Sequence, residues 1–494
     1  MPPNTPPPSP GISGSSINAP DEELDENDVV EVIDLDELDN NEEPDEDDLD
    51  ENEMNIDDTG DMSYSEESRS NYVSKMVEVN SVAVFSMHQK SVFTCDINTN
   101  ENAFLAVSGG EDDKAFIWNW KTGNPVTELG TSQPESPTYK DSVVFTKFNK
   151  DGSLVAAADM SGILKVWRIP KSLMENASDS QCGSEVKKEP LWSFETSDIS
   201  WLRWHNAAQN VLFAGTEESE LWMWKIPSGD SKIYMGNGEK VETALILPDG
   251  KRIAVAYGDG SIKLFDLKTG EVLNSFAHYD KSNSSDDSET SLGMPIASLN
   301  VRSDGGGQIL ASGGVNGVTK IFNTSTGKTI GNLLCGGSNT QDSESDTPST
   351  TTVEDILFSS CDHNVLITGT LNGKVTIWDV STHVSKHSIN IGEGVVKMLW
   401  RNVPIASAAN NVNSLDRKNS SQIFVATLEG VVKILDIREG KVLADCSGHT
   451  ASILDICQSV DGSTLISCSD DGDCRVFDVD KVLSGVQNSE MESS

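Results

Sequence analysis

The stretch GGEDDKAFIWNW, Gly109 to Trp120, sets three carboxylates and a lysine beside two tryptophans. Clustered carboxylates are the raw material of general acid–base catalysis, where neighbouring acids are tuned to different pKa values. The same residues also suit a tight turn leading into a strand, because Asp and Gly bend a chain while Phe, Ile and Trp fill a pleated face. Recurrence separates the two readings: an active site occurs once, whereas a structural turn can be copied.

Other arrangements that carry chemistry are missing. There is no GxxxxGK[ST], HExxH or GxSxG, and the GEG at 392–394 continues as Val-Val-Lys, which forms no phosphate-cradling loop. His363, His383 and His387 fall near one another, but at a spacing that suits loops better than a metal site. The eight cysteines (95, 182, 335, 361, 446, 457, 468, 474) include no CxxC pair and no His partner at zinc-ligand spacing, which reads as free thiols in a reducing compartment. The expectation is therefore no catalytic residue, no cofactor and no metal: a protein that is not an enzyme.

The acidic turn does recur. The residues that close successive strands after it, Trp118, Trp167, Trp224, Phe265, Phe322, Trp378, Leu435 and Phe477, are spaced by 49, 57, 41, 57, 56, 57 and 42 residues. Six positions before each lie Asp112, Ser161, Glu218, Asp259, Asn316, Asn372, Glu429 and Asp471, and six of the eight are followed by Gly. A turn former and then a residue free to take φ > 0 is what a tight hairpin needs. Alternating apolar runs flank the turns, such as LAVSGG before and KAFIW after the first. Four short strands per unit at this period predict an all-β fold, a β-propeller. The eight units run at about 88–123, 139–169, 197–229, 238–270, 293–327, 351–383, 394–440 and 449–480. SVAVFSMH at 81–88 is placed to close the ring as the outer strand of the last blade, giving a propeller over 77–482. The polar segments 171–190, 279–292, 336–352 and 401–420 read as extruded loops.

Residues 1–76 hold 25 acidic residues against Arg69 and Lys75, with too few apolar groups to offset the entropy of ordering, so they read as a disordered acidic tail. Within it, DVVEVIDLDEL (28–38) alternates in a way that could add as a strand to a partner. Residues 483–494 read as a disordered C-terminus. The net charge of −43 disfavours nucleic acid as a direct partner and favours a basic polypeptide. No apolar run is long enough to span a membrane, and the N-terminus has no signal-peptide pattern.

IWD at 377–379 and GH at 448–449 resemble WD-repeat dipeptides, which makes the propeller a WD-repeat one, with His449, Ser467 and Asp471 as a tetrad that has Phe477 where Trp belongs. GGEDDKAFIW, ADMSGILKVW, LWMWKIPSGD, LPDGKR, GHTASILD and the leader VVEVIDLDEL are similar to the angio-associated migratory cell protein family, over about residues 29–478. The resemblance implies a cytoplasmic (also nuclear or peripheral) protein-binding monomer. In the fungal relative the fold serves as a dedicated chaperone that binds the basic N-terminus of a large-subunit ribosomal protein on an acidic face. The animal members imply an alternative, a signalling scaffold linked to cell migration and Rho-type signalling, with SNSSDDSE and DSESDTPST as kinase targets.

If the turns share one rim, that rim carries Glu111, Asp112, Asp113, Asp159, Glu217, Glu218, Asp259, Glu429, Asp470 and Asp471, the expected partner-binding acids. Asp accumulates in turns for local reasons, but Glu is not a turn former. Trp118, Trp167, Trp224 and Trp378 are expected to pack between blades. Five of the ten tryptophans crowd into 192–224, so Trp201 or Trp222 either lines a face and stacks on an arginine or joins that packing.

Overall fold

A computed structural model describes residues 79–492 apart from 101, 131–137, 176–185, 280–293, 336–350, 361 and 403–420. The acidic leader and most of the four polar segments therefore lie outside the described residues.

Eight four-stranded antiparallel sheets follow one another along the chain, each a blade of the ring. Blade 1 is Val92–Ile97, Leu105–Gly110, Ala115–Asn119 and Asn124–Glu128, from inner to outer edge. Blades 2 to 7 span 143–195, 199–235, 241–277, 296–334, 353–390 and 395–446. Blade 8 takes three strands from 453–478 and its outer strand, Ala83–Phe85, from the other end of the chain. Ala83 pairs with Val476 and Phe85 with Cys474, so the first strand locks onto the last blade and leaves no open seam.

The core is distributed over the eight interfaces between neighbouring blades. Trp118 is fully buried and stacks on Phe85 at 4.8 Å, joining blade 1 to blade 8. Trp167, Trp224 and Trp378 fill the interfaces of blades 1 with 2, 2 with 3, and 5 with 6. Inner strands are mostly covered, while outer strands such as Asn124–Glu128 are largely exposed.

Three features differ from the sequence reading. The units drawn there stop after the third strand, and in blades 1 to 7 the outer strand lies beyond that limit, as Asn124–Glu128 does beyond 123. Trp192–Glu195, which falls between the second and third units drawn there, is the outer strand of blade 2, displaced past helix α1 (Lys171–Glu175) and the segment that follows it. The C-terminus is also ordered further than expected, because helix α2 runs over Val479–Glu492. Val479, Val482 and Leu483 put an apolar stripe at i, i+3, i+4 against Ala444 and Cys446 of blade 7, and Asp480 accepts from the buried Arg401 at 2.7 Å. That stripe is three residues long, too short to stand out from a polar tail.

Candidate protein-binding rim

Antiparallel strands reverse direction at every turn, so the turn between second and third strands lies at the same rim as the connection between blades. Backbone hydrogen bonds tie the two together in seven blades, from Glu111, Met160, Glu217, Gly258, Leu371, Leu428 and Asp470 N–H to Ser91, Ser142, Asp198, Lys240, Thr352, Gly394 and Ser452 carbonyls, at 2.9–3.0 Å. All eight turns share one left-handed position. Gly occupies it six times, at φ 73–92°, and Asp113 (60°) and Ser219 (70°) occupy it in blades 1 and 3. A side chain there costs up to about 1 kcal/mol relative to Gly, less for Asp than for most residues.

The ten acids expected on this rim fall into three groups. Asp112, Asp159, Asp259 and Asp471 fasten the interblade connection to the turn. Asp112 accepts from Gln89 N–H (3.2 Å) and bonds His88 (2.9 Å); Asp471 accepts from Thr450 N–H (3.0 Å) and bonds His449 (3.0 Å). Asp159 accepts from Lys140 N–H (3.0 Å), and Asp259 from the Asn237 amide (2.9 Å). Burial by itself would raise the Asp471 carboxyl, but hydrogen bonds from His449 and the Thr450 amide outweigh it and hold it at about 2. The Asp112 carboxyl is held low in the same way, His88 outweighing burial. Glu111 and Glu217 form the second group, partly neutralised by Lys90 (3.5 Å) and Lys240 (3.0 Å). Asp113, Glu218, Glu429 and Asp470 form the third: they are exposed and form no ion pair among the described residues. Asp470 accepts only from the Ser91 hydroxyl.

Local structure does not call for these four acids. Glu218 and Glu429 stand where other turns use the shorter Asp, Asn or Ser, Asp113 stands where six turns use Gly, and Asp470 stands where five blades carry Met, Gly, Val or Leu and only blades 1 and 3 carry an acid. The rim carries a further exposed acid that the turn alignment passes over, Glu393, because it sits in the connection between blades 6 and 7.

The tryptophans resolve toward packing. Trp201 is 9% exposed and lies between blades 3 and 4 with Phe213, Tyr234 and Val241. Trp222 is half-buried, with one face stacked on Trp224 (5.4 Å) and its indole N–H donating to Glu220 (2.8 Å). An aromatic platform at Trp201 is therefore set aside, since its inner-strand position turns it into the core, whereas Trp222 is only partly covered by Trp224.

The hydrogen-bonded His–Ser–Asp set occurs twice. His449 bonds Ser467 at 2.8 Å as well as Asp471, and His88 bonds Ser108 at 2.9 Å as well as Asp112. The first-blade set was missed because His88 was read as the end of the closing strand. These imidazoles are buried and their partners hold turns, so the arrangement staples the rim rather than offering a nucleophile.

Eight charged residues on the inner strands were also not singled out: Asp96, Lys147, Arg203, Glu242, Glu354, Asp355, Lys397 and Asp455. Lys397 donates to Asp455, and Lys147 lies 3.5 Å from it and donates to the Cys95 carbonyl at 3.0 Å. Burial would lower Lys147, yet Asp455 and Asp96 outweigh it and raise its pKa. Asp355 goes the other way, pushed up by burial to about 6 although its oxygens accept from Met398 and Ile356 N–H. The three cations lie among five carboxylates, so the inner strands offset part of their own negative charge. Among the described residues no group of His, Cys, Asp or Glu is arranged to hold a metal, and no helix is long and apolar enough to cross a membrane.

Comparison with known proteins bears on the family and the fold. The WD domain, G-beta repeat family matches residues 79–119 and 440–478, and the anaphase-promoting complex subunit 4 WD40 domain family matches 205–285. The human angio-associated migratory cell protein is 33% identical over 403 residues, 81% of this chain and 80% of its own length. The chain belongs to the angio-associated migratory cell protein family. The dog member of that family matches at the same identity and coverage. Among solved structures, the fold of Saccharomyces cerevisiae Sqt1 covers 81% of the chain and 99% of Sqt1 at TM-score 0.63 and 20% identity. Chaetomium thermophilum Sqt1, bound to the N-terminus of the ribosomal protein L10, covers 81% and 100% at TM-score 0.64 and 18% identity. This member of the angio-associated migratory cell protein family is an eight-bladed WD-repeat propeller.

Proposed function

We propose that the chain is a non-enzymatic escort that holds the basic segment of a large-subunit ribosomal protein on its acidic rim, in the cytoplasm. One observation carries the reading: Asp113, Glu218, Glu429 and Asp470 are exposed carboxylates that neither turn geometry nor an ion pair accounts for. Chemically they form a diffuse anionic face that attracts Lys and Arg over roughly a Debye length, about 8 Å in physiological salt. A client covered this way is kept from premature contact with RNA phosphates. The Sqt1 structure bound to the L10 N-terminus supports the choice of client, because the same fold carries such a segment there. The six described cysteines, all buried free thiols, support a reducing compartment. The scaffold alternative rests on the segments at 279–292 and 336–352, most of which lies outside the described residues, and no observation favours it.

Calorimetric titration of the full chain with the L10 N-terminal peptide, at low and at physiological salt, tests this reading. Binding that weakens with salt, and weakens again when the four rim acids are neutralised, is the expected result. Because both proteins keep the acidic leader, equal binding by the two would show that the rim is not the site.

A further inference from the structure

Three seams between blades are closed by a side chain that meets the next blade at one structural position of the outer strand. Lys232 of blade 3 and Asn274 of blade 4 hold that position, packed against Gly270 and Gly327 of the following turn. Both are fastened there: Lys232 donates to the Leu267 and Lys268 carbonyls (3.1 and 2.8 Å) and Asn274 to the Thr324 carbonyl (2.7 Å). In blade 5 the position is Gly331, and the His383 ring of blade 6 lies against it. In blade 6 the position is His387, paired across the sheet with Ile377. Its ring packs against Gly440 of blade 7, with Cγ 2.7 Å from where a Cβ would sit, but it donates to no carbonyl of that turn among the described residues.

A cavity of about 200 Å³ opens beside His387, in the seam between blades 6 and 7 on the rim opposite the acidic one. The buried Ile377 and Ile437 and the half-buried Trp400 give it apolar walls. Lys386, His387 and Arg438 also line it, against a single lining carboxylate, Asp362. Lys386 is held in place by Asp379 at 3.1 Å. Sites for cofactors and drug-sized ligands run to roughly 300–1,000 Å³, so this one is too small for them. It is large enough for one ring, since an apolar cavity of about 150 Å³ holds benzene. Lys386 and Arg438 are exposed, so the anions they would meet lie outside the cavity, on residues flanking an inserted side chain.

We infer that the seam between blades 6 and 7 is a second protein-binding site, which takes an acidic segment of a partner by inserting a Phe- or Leu-sized side chain beside Trp400 and pairing the flanking Asp or Glu with Lys386 and Arg438. The site is opposite to the acidic rim in both charge and position, so an acidic partner and a basic one are held at the same time. It stands independently of the reading given to that rim.

The test uses the full chain and two fluorescein-labelled peptides of equal length and charge, in which a central Phe or a central Ser is flanked by Glu on both sides. Fluorescence polarisation is read in physiological salt, where the Debye length of about 8 Å screens the repulsion from distant acids. Wild type is expected to bind the Phe peptide about tenfold more tightly than the Ser peptide. H387K is expected to close the seam as Lys232 does and to remove that preference, although it adds a positive charge. R438Q, which alters an exposed side chain and should melt at the wild-type temperature, is expected to weaken the Phe peptide about threefold. The rim variant D113G/E218Q/E429Q/D470N should bind it as wild type does. Equal binding of the two peptides by wild type, or binding of neither, overturns the site. So does a preference that survives H387K, an R438Q protein that binds the Phe peptide unchanged, or a loss of binding in the rim variant.

Discussion

Ten acids on one rim invite charge-removal experiments, and the structure states which of them should cost binding and which should cost stability. Consider D113G/E218Q/E429Q/D470N. Each of these carboxylates is exposed and unpaired with a cation, so each is expected to contribute about 0.5 kcal/mol to a basic ligand, the middle of the range for exposed ion pairs. Four together give about 2 kcal/mol, or roughly 30-fold in Kd at low salt, shrinking as salt shortens the screening length. Stability should hold or rise slightly, because D113G removes a side chain from a left-handed position (φ 60°). The contrasting variant is D112N/D471N, which weakens two buried His–Asp bonds and the capping of Gln89 and Thr450 amides. It should lose roughly 3 kcal/mol of stability with little direct loss of affinity, since neither carboxylate is open to a ligand. Titration with the L10 N-terminal peptide and chemical denaturation, run on both proteins, read the two effects separately. If D112N/D471N abolished binding while keeping its stability, or the quadruple variant unfolded readily, the division of the rim would be wrong.

Phe85→Ala removes the ring stacked on Trp118 at the closure and should cost about 3–5 kcal/mol, seen in denaturation followed by tryptophan fluorescence; an unchanged midpoint would mean that the closing strand does not hold the ring. Asp355, with its carboxyl raised to about 6 by burial, is costly to the fold when ionised, and the cost fades as pH falls through 6 toward the unfolded value of 3.8. The stability of D355N relative to wild type should therefore be about 1 kcal/mol more favourable at pH 8 than at pH 5, and a pH-independent difference would contradict that burial.

The fold was legible in the sequence because a propeller repeats its punctuation. The turn former and the left-handed residue recur eight times, and even the two exceptions to Gly, Asp113 and Ser219, take φ > 0 in the structure. The site was legible only in part. Sequence locates an acid on a turn, but its partner comes from another blade or a connection some 20 residues away, as with Asp112 and His88, Glu111 and Lys90, or Glu217 and Lys240. Pairing in space, not residue type, separates Asp113 from Asp112. Trp201 was open to misreading because an inner strand of a blade is covered on both faces, so alternation gives no outward side. The inner-strand charges at Asp96, Lys147, Arg203, Asp355, Lys397 and Asp455 interrupt otherwise apolar strands, and that interruption was the available signal for them.

The central claim, that the partner sits on this rim, is tested most directly by hydrogen–deuterium exchange of the full chain with and without the L10 N-terminal peptide. The account predicts added protection at the turns 110–114, 216–220, 427–431 and 469–473 and the connection 391–394. Protection confined to residues 1–76, or to the opposite-rim turns at 149–153, 247–251 and 459–463, would contradict it.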